Sequence, residues 1–210
     1  MEGASLIAEY VGVGVFALTG AIVAARKGMD PFGFALLATV TGVGGGSVRD
    51  MLLGVPVFWV HEPVDLAVCL GVGLLTYLAG SRIPGAMTGQ RPRTALLWAD
   101  ALGLAIFSTT GALKALSNGA HPFAAVVLGT LTASFGGIIR DILAGDVPLV
   151  LHREIYVTAA VVGAAVFVLG LGAGLPPALA AGFSILAAFT LRGFAIQRDW
   201  SLPPFRPRAE

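Results

Sequence analysis

Apolar residues along this chain fall into seven long segments that are separated by short polar stretches. The segments cover residues 6–25, 32–58, 64–80, 94–116, 123–143, 155–171 and 177–194. A helix that crosses a membrane needs about 20 mostly apolar residues. Prolines and charged residues separate the segments, such as Asp30 and Pro31 after the first and Pro176 before the last. The pattern predicts an all-α membrane protein with seven transmembrane helices, which we call spans one to seven.

The composition of the chain favours the same environment. Hydrophobic residues make up 56% of the 210 residues and charged residues only 12%, against about 25% charged in an ordinary soluble domain. The net charge of +1 gives no general attraction to nucleic acid, so we expect no such partner. The one cysteine, Cys69, excludes an intrachain disulfide. The sequence contains no hydrolase, zinc-protease or nucleotide-binding motif, so we expect neither catalysis nor a cofactor.

Positive charge in the loops predicts how the spans are oriented. Basic residues lie in every second loop: Arg26 and Lys27, then Arg82, Arg91 and Arg93, then Arg153, and finally Arg198, Arg206 and Arg208. Lys114, near the end of span four, is the exception. Because cytoplasmic loops carry an excess of Lys and Arg, we expect the N-terminus outside and the C-terminus in the cytoplasm. The N-terminus lacks the basic residues of a cleaved signal peptide and is expected to be retained.

Two parts of the chain repeat each other at a constant separation of 91 residues. The segment from Thr41 to Asp50 matches the segment from Thr132 to Asp141, and residues 16, 19, 20, 28, 31 and 32 are identical to residues 107, 110, 111, 119, 122 and 123. Each copy holds three spans, and an odd number inverts the second copy in the membrane. We therefore predict a first three-helix repeat at 1–82, a cytoplasmic linker at 83–93, a second, inverted repeat at 94–173, a seventh transmembrane helix at 174–196 and a cytoplasmic tail at 197–210.

Glycines cluster in the middle of spans two and five, the second span of each repeat. Glycine costs about 1 kcal/mol in a helix relative to alanine, so these clusters predict helices that are kinked or unwound there. Backbone that is unwound at membrane depth must line a cavity or be buried in protein. The alternative is that the glycines only permit close helix packing. The candidate pore and kink residues are Gly44, Gly45, Gly46, Ser47, Gly136 and Gly137.

An Arg-Asp pair follows each glycine cluster, at Arg49-Asp50 and Arg140-Asp141. Ionisable groups at membrane depth are costly and are functional candidates by default. Neighbours on a helix point about 100° apart, so we expect each Arg to pair with the Asp of the other repeat. Arg49 would then lie beside Asp141. A purely structural ion pair is the alternative. Lys114 is a candidate for gating, and the alternative is that it only extends to the interface.

These motifs resemble those of the prokaryotic TRIC (trimeric intracellular cation) channels, over residues 6–194. The resemblance implies a homotrimer in the plasma membrane of a prokaryote, with one pore per protomer lined by kinked spans two and five. The pore would conduct monovalent cations, chiefly K⁺, with K⁺ or Na⁺ as the permeant ion. The glycines would form the kinks and the Arg-Asp pairs would lie beside the pathway.

The resemblance also bears on partners and on the alternative functions. Animal members carry a Lys-Glu-Val motif where this chain has Gly136, Gly137 and Ile138, so we do not expect phosphoinositide binding. Some bacterial proteins with the same duplicated domain resemble glycine transporters, and a secondary transporter of a small solute such as glycine stays as the alternative function. A non-conducting membrane scaffold is the third hypothesis.

Overall fold

The computed structural model describes residues 2–82, 90–151 and 155–201, and its elements there are helices. They are α1 (Glu2–Arg26), α2 (Pro31–Leu53), the short α3 (Phe58–His61), α4 (Val64–Arg82), α5 (Gln90–Ser117), α6 (Pro122–Leu143), a 3-10 helix (Leu149–Leu151), α7 (Val157–Gly172) and α8 (Pro177–Arg198). Most of the predicted linker and tail, and Arg153, lie outside the described residues.

Six of these helices are long and apolar enough to cross a membrane, which makes this a multi-pass membrane protein. The remaining predicted span, α7, has 16 residues. At 1.5 Å per residue it is shorter than a hydrocarbon core of about 30 Å, so the count of seven stays a prediction. Span two also ends earlier than predicted, at Leu53 rather than residue 58, because Gly54 terminates α2 in the left-handed conformation.

The helix ends of the two halves use the same local chemistry. Gly28 and Gly119 precede α2 and α6 with φ of 63° and 79°, and Gly54 and Gly145 follow these helices with φ of 67° and 70°. Side chains strain at such angles and glycine does not. Each pair is separated by 91 residues, as are Pro31 and Pro122, where the helices begin.

Helix packing follows the same correspondence, with one addition. Helix α1 packs on α2 and α4, and α2 on α4; likewise α5 packs on α6 and α7, and α6 on α7. The halves join where α1 meets α5 and where α2 meets α6. Helix α8 packs on α5 and α7 and has no counterpart in the first half of the described residues.

Helices α2 and α6 cross at their glycines with direct backbone contact. A Cβ atom on Gly45 would overlap the carbonyl oxygen of Thr132, and one on Gly136 would overlap that of Thr41. Both helices continue as α-helix through the glycines, so the prediction of unwound backbone is wrong. The glycines here remove side chains from a crossing, which needs no break in the hydrogen-bond ladder. A bend at these positions stays a prediction.

The junction of α1 and α5 is built around one aromatic pair. The rings of Phe16 and Phe107 meet edge to face with centroids 5.0 Å apart, and both side chains are buried. Gly103 makes room for the ring of Phe16, and Gly12 lies against the ring of Phe107. Since Phe16 and Phe107 occupy equivalent positions in the two halves, this contact joins the halves at matching residues.

Candidate ion pathway and its two charged ends

Each arginine of the duplicated motif pairs with the aspartate beside it. Nε of Arg49 donates to Oδ1 of Asp50 over 2.8 Å, and Nε of Arg140 donates to Oδ1 of Asp141 over 2.8 Å. The predicted exchange of partners between repeats is therefore wrong. Both aspartates lie in the last turn of an uninterrupted helix, where the helix dipole disfavours negative charge. The flexible arginine stem bends around the helix and compensates that charge locally.

The second carboxylate oxygen of each aspartate holds the turn that follows the helix. Oδ2 of Asp50 accepts from the backbone N–H of Phe58 over 3.0 Å, and Oδ2 of Asp141 accepts from that of Leu149 over 3.0 Å. These bonds tie α2 to α3 and α6 to the 3-10 helix. The aspartates thus have a structural role, and the free faces of the two guanidinium groups are left for other partners.

The free face of Arg140 is sealed inside the protein. Its Nη1 donates to Oγ1 of Thr19 over 2.9 Å and to Oδ1 of Asp100 over 3.0 Å. Arg140 and Asp100 are both 0% exposed, so these bonds connect α6, α1 and α5 out of contact with solvent. We call Arg140, Asp141, Asp100, Thr19 and Tyr156 the Arg140 cluster.

Tyr156 and Arg192 complete this end of the bundle, and sequence reasoning missed both. Tyr156 is 1% exposed, and its hydroxyl lies near Gly137, where a Cβ would be 3.2 Å away. The guanidinium carbon of Arg192, from α8, lies 5.2 Å from the centroid of the Tyr156 ring, which is a cation–π distance. An arginine within span seven was the available signal, because the rule applied to Arg140 holds equally for it.

The free face of Arg49 meets open space instead. Two cavities of about 210 and 220 Å³ adjoin there and share Glu9 and Lys114 in their walls. Arg49 and Thr110 line the first, and Asp65 lines the second. The second cavity also includes Glu62, Phe58, Tyr10 and His61. We call the two spaces together the Arg49 cavity. Lys114, the candidate gating residue, therefore faces this cavity.

Several polar atoms at the Arg49 cavity lack hydrogen-bond partners among the described residues. They are Nη2 of Arg49, Oγ1 of Thr110 and Oδ1 of Asp65. Nη2 of Arg49 does lie 2.7 Å from Oδ1 of Asp50, as an ion pair without hydrogen-bond geometry. Asp65 is only 5% exposed. Buried polar groups without partners are uncommon in folded proteins, so this space is suited to water or ions.

The other predicted site residues, Gly44, Gly46 and Ser47, contribute to helix packing and to the attachment of α3. Gly44 lies against Ile139, 3.0 Å from a Cβ placed on the glycine, and Gly46 makes room for the ring of Phe58. Oγ of Ser47 donates to the carbonyl of Val43 and accepts from Nε1 of Trp59, each over 2.8 Å. Ser47 thus anchors α3 to α2.

Comparisons with known proteins agree with the duplicated plan. A family model described as "Glycine transporter" matches this chain twice, over residues 6–81 and 97–171. The inner membrane protein YadS of Escherichia coli is 39% identical over 199 residues, which is 94% of each chain.

Solved structures with the same fold include TRIC proteins. A TRIC trimeric intracellular cation channel orthologue from Rhodobacter sphaeroides is 46% identical with a TM-score of 0.88, covering 94% of this chain and 99% of its own. A prokaryotic TRIC channel crystallised in KCl is 27% identical with a TM-score of 0.86, covering 96% of this chain and 100% of its own. Because the family model covers both halves and these relatives align along nearly the whole chain, the protein belongs to the family of duplicated membrane proteins that includes the prokaryotic TRIC channels.

Proposed function

We propose that this protein is a monovalent cation channel with a pathway in each protomer. The pathway enters at the Arg49 cavity, passes the crossing of α2 and α6, and ends at the Arg140 cluster. The observation that carries the proposal is a cavity lined by charged side chains in a chain 46% identical to a TRIC cation channel orthologue of the same fold. The permeant ion is K⁺ or Na⁺, and no cofactor takes part.

The charges at the Arg49 cavity favour cations. Its described lining contains three carboxylates, from Glu9, Glu62 and Asp65, against one guanidinium, from Arg49, and one ammonium, from Lys114, together with the imidazole of His61. The guanidinium of Arg49 is already paired with Asp50. A surplus of carboxylates between low-dielectric walls raises the local concentration of cations, as rings of acidic side chains do in cation channels.

The assembly and orientation belong to the same proposal. We propose a homotrimer in a prokaryotic plasma membrane, with two inverted three-helix repeats, a seventh transmembrane helix, an external N-terminus and a cytoplasmic C-terminus. The description of the Rhodobacter relative as trimeric supports the assembly, and large apolar side chains exposed on the monomer surface, such as Leu75 and Leu169, supply area for lipid or subunit contact. Phosphoinositide binding is not part of the proposal.

Recording from purified protein in a planar lipid bilayer tests the function. In a KCl gradient we expect unitary current steps whose reversal potential lies near the K⁺ equilibrium potential. The Glu9→Gln variant should move the reversal potential toward zero at low salt, because it removes a carboxylate from the cavity. An absence of unitary steps in correctly assembled protein would overturn the channel proposal.

A carrier of a small zwitterion is the second candidate function. The family model that matches both halves is described as a glycine transporter, and the Arg49 cavity holds basic and acidic groups that could bind the two ends of an amino acid. Such a carrier exchanges labelled glycine across liposomes in a saturable manner and produces no unitary steps. Counterflow without current would therefore replace the channel proposal with this one.

A further inference from the structure

We propose that the two ends of the pathway close alternately, each by the same contact between the arginine of one repeat and side chains of the other helices, and that ions pass in the interval in which both contacts are released. In this structure the closing contact is made by Arg140, which binds Asp100 and Thr19. The inference rests on the proposed pathway, and it names the groups that open and close each end.

The corresponding groups at the opposite end already face each other across the Arg49 cavity. Glu9 lies 91 residues before Asp100, and Thr110 lies 91 residues after Thr19. Arg49 lies 91 residues before Arg140. All three line one cavity of about 210 Å³. In the second state Arg49 closes this cavity by donating to Glu9 and Thr110, while Arg140 releases its own partners.

The open end supplies an acceptor that only a closed cavity would pair. Oγ1 of Thr110 is buried without a hydrogen-bond partner among the described residues. Closure brings the guanidinium of Arg49 to this hydroxyl and removes the cost of leaving it unpaired. Thr110 is equivalent to Thr19, which accepts from Arg140 over 2.9 Å, so Arg49 has an equivalent acceptor.

The closed end is itself incompletely bonded, which allows it to be released. Nη2 of Arg140 has no hydrogen-bond partner among the described residues. Each state therefore satisfies some polar groups and leaves others unpaired. Two arrangements of comparable free energy are what an exchange between states requires.

Differences between the halves select the state seen here. The Arg140 end has the Tyr156 ring, over which Arg192 of α8 lies, and at the position of Tyr156 the first half has Asp65. Similarly, Lys114 lines the Arg49 cavity, whereas the equivalent residue 91 positions earlier is the buried Val23. The aromatic and apolar groups stabilise closure at one end, whereas the charged groups keep the other hydrated.

Cysteine accessibility in proteoliposomes tests the exchange without measuring ion flux. In a Cys69→Ala background, one reporter is Leu113→Cys, whose position lines the Arg49 cavity. The matched reporter is Ile22→Cys, 91 residues earlier and only 6% exposed. With a charged, membrane-impermeant thiol reagent on both sides, we expect L113C to react quickly and I22C slowly. Adding Asp100→Asn should speed I22C and slow L113C, each by on the order of tenfold, which corresponds to one closing contact of modest strength.

A second variant keeps the test decisive if Asp100→Asn disturbs folding. Glu9→Gln removes an acceptor of the second closing contact and leaves the Arg140 cluster intact. It should lower the residual reactivity of I22C and abolish the slowing of L113C in the Asp100→Asn background. Unchanged I22C reactivity in both Asp100→Asn and Glu9→Gln, measured on protein with wild-type elution in size exclusion, would overturn the exchange.

The reporters separate this inference from the proposed function. Reciprocal changes in reactivity with no unitary currents would retain the exchange and reject the channel. Unitary currents with reactivities that do not change in opposite directions would retain the channel and reject the exchange.

Discussion

The two charged ends of this molecule begin from the same motif and finish in different environments. At both ends an arginine binds the next aspartate over 2.8 Å, and the aspartate holds a backbone N–H eight residues further on. At one end the guanidinium then binds Asp100 and Thr19 in a sealed cluster. At the other it borders the Arg49 cavity. A duplicated motif thus preserves its local bonds, while residues from other helices decide whether the end is closed.

The largest expected difference between the ends concerns the arginines themselves. Arg140→Met leaves Asp100 and Asp141 as buried carboxylates without a cation, which should cost about 3–5 kcal/mol. Arg49→Met leaves one buried carboxylate, Asp50, rather than two, and it removes a side chain that already lines a cavity. It should therefore cost less, about 1–3 kcal/mol, as for a lost hydrogen bond to a charged group. Thermal unfolding in detergent, followed by size exclusion, measures both. Equal losses would mean that the ends do not differ in hydration.

The helix crossing should be the next most sensitive region. A methyl group at Gly45 overlaps the Thr132 carbonyl, so Gly45→Ala should destabilise the protein by about 1–3 kcal/mol through overpacking. Gly71→Ala in α4 is the matched control, since nothing lies within 4 Å of a Cβ there. The same thermal assay should show little loss for Gly71→Ala, and a neutral Gly45→Ala would contradict the backbone contact.

Conduction should respond to the charges of the Arg49 cavity in opposite directions. We expect Glu62→Gln to lower the K⁺ current at low salt by roughly twofold and Lys114→Gln to raise it by a similar factor, because both side chains line the cavity and reach solvent, where charge effects are screened over a Debye length. Single-channel currents at 20-fold different KCl concentrations, on the order of 0.05 and 1 M, measure the effect. Changes that persist at high salt would point to altered gating rather than to local ion concentration.

The smallest effect on stability is expected at Ser47, whose equivalent position at the Arg140 end does not hold a serine. Ser47→Ala removes the acceptor for Nε1 of Trp59 and should cost about 1 kcal/mol. The equivalent residue of the second half is Ile138, so Ile138→Ala serves as the comparison for lost side-chain volume alone. Tryptophan emission should shift to longer wavelength in S47A but not in I138A if the indole bond is released.

Much of the fold could be predicted because its signals are local. The long apolar segments, the prolines that begin α2 and α6, and the glycines that end these elements all act within a few residues of their positions in the sequence. The helix boundaries that differ do so for local reasons too, since Gly54 ends α2 before the apolar segment is complete. The candidate site was predicted less well: the glycines and charged motifs were located, but their partners were not.

The partners of Arg49 and Arg140 depend on three-dimensional packing. Because adjacent side chains on a helix point in different directions, each arginine was expected to pair away from its own aspartate. The long, flexible arginine side chain instead reaches the neighbouring aspartate, whose charge is otherwise disfavoured by the dipole at the helix end. Asp100 and Arg192 stand out in the sequence as charged residues within apolar segments, but only the packing of α5 and α8 decides which groups they meet.

By itself the sequence determined the membrane environment, the duplicated halves and the positions where helices can approach closely, because hydropathy, spacing and the absence of a side chain are properties of residues. Tertiary structure alone decided that one repeat arginine is sealed and the other borders a cavity. The local motif is the same at both ends, so the difference comes from Tyr156, Asp65 and an eighth helix that packs on the second half.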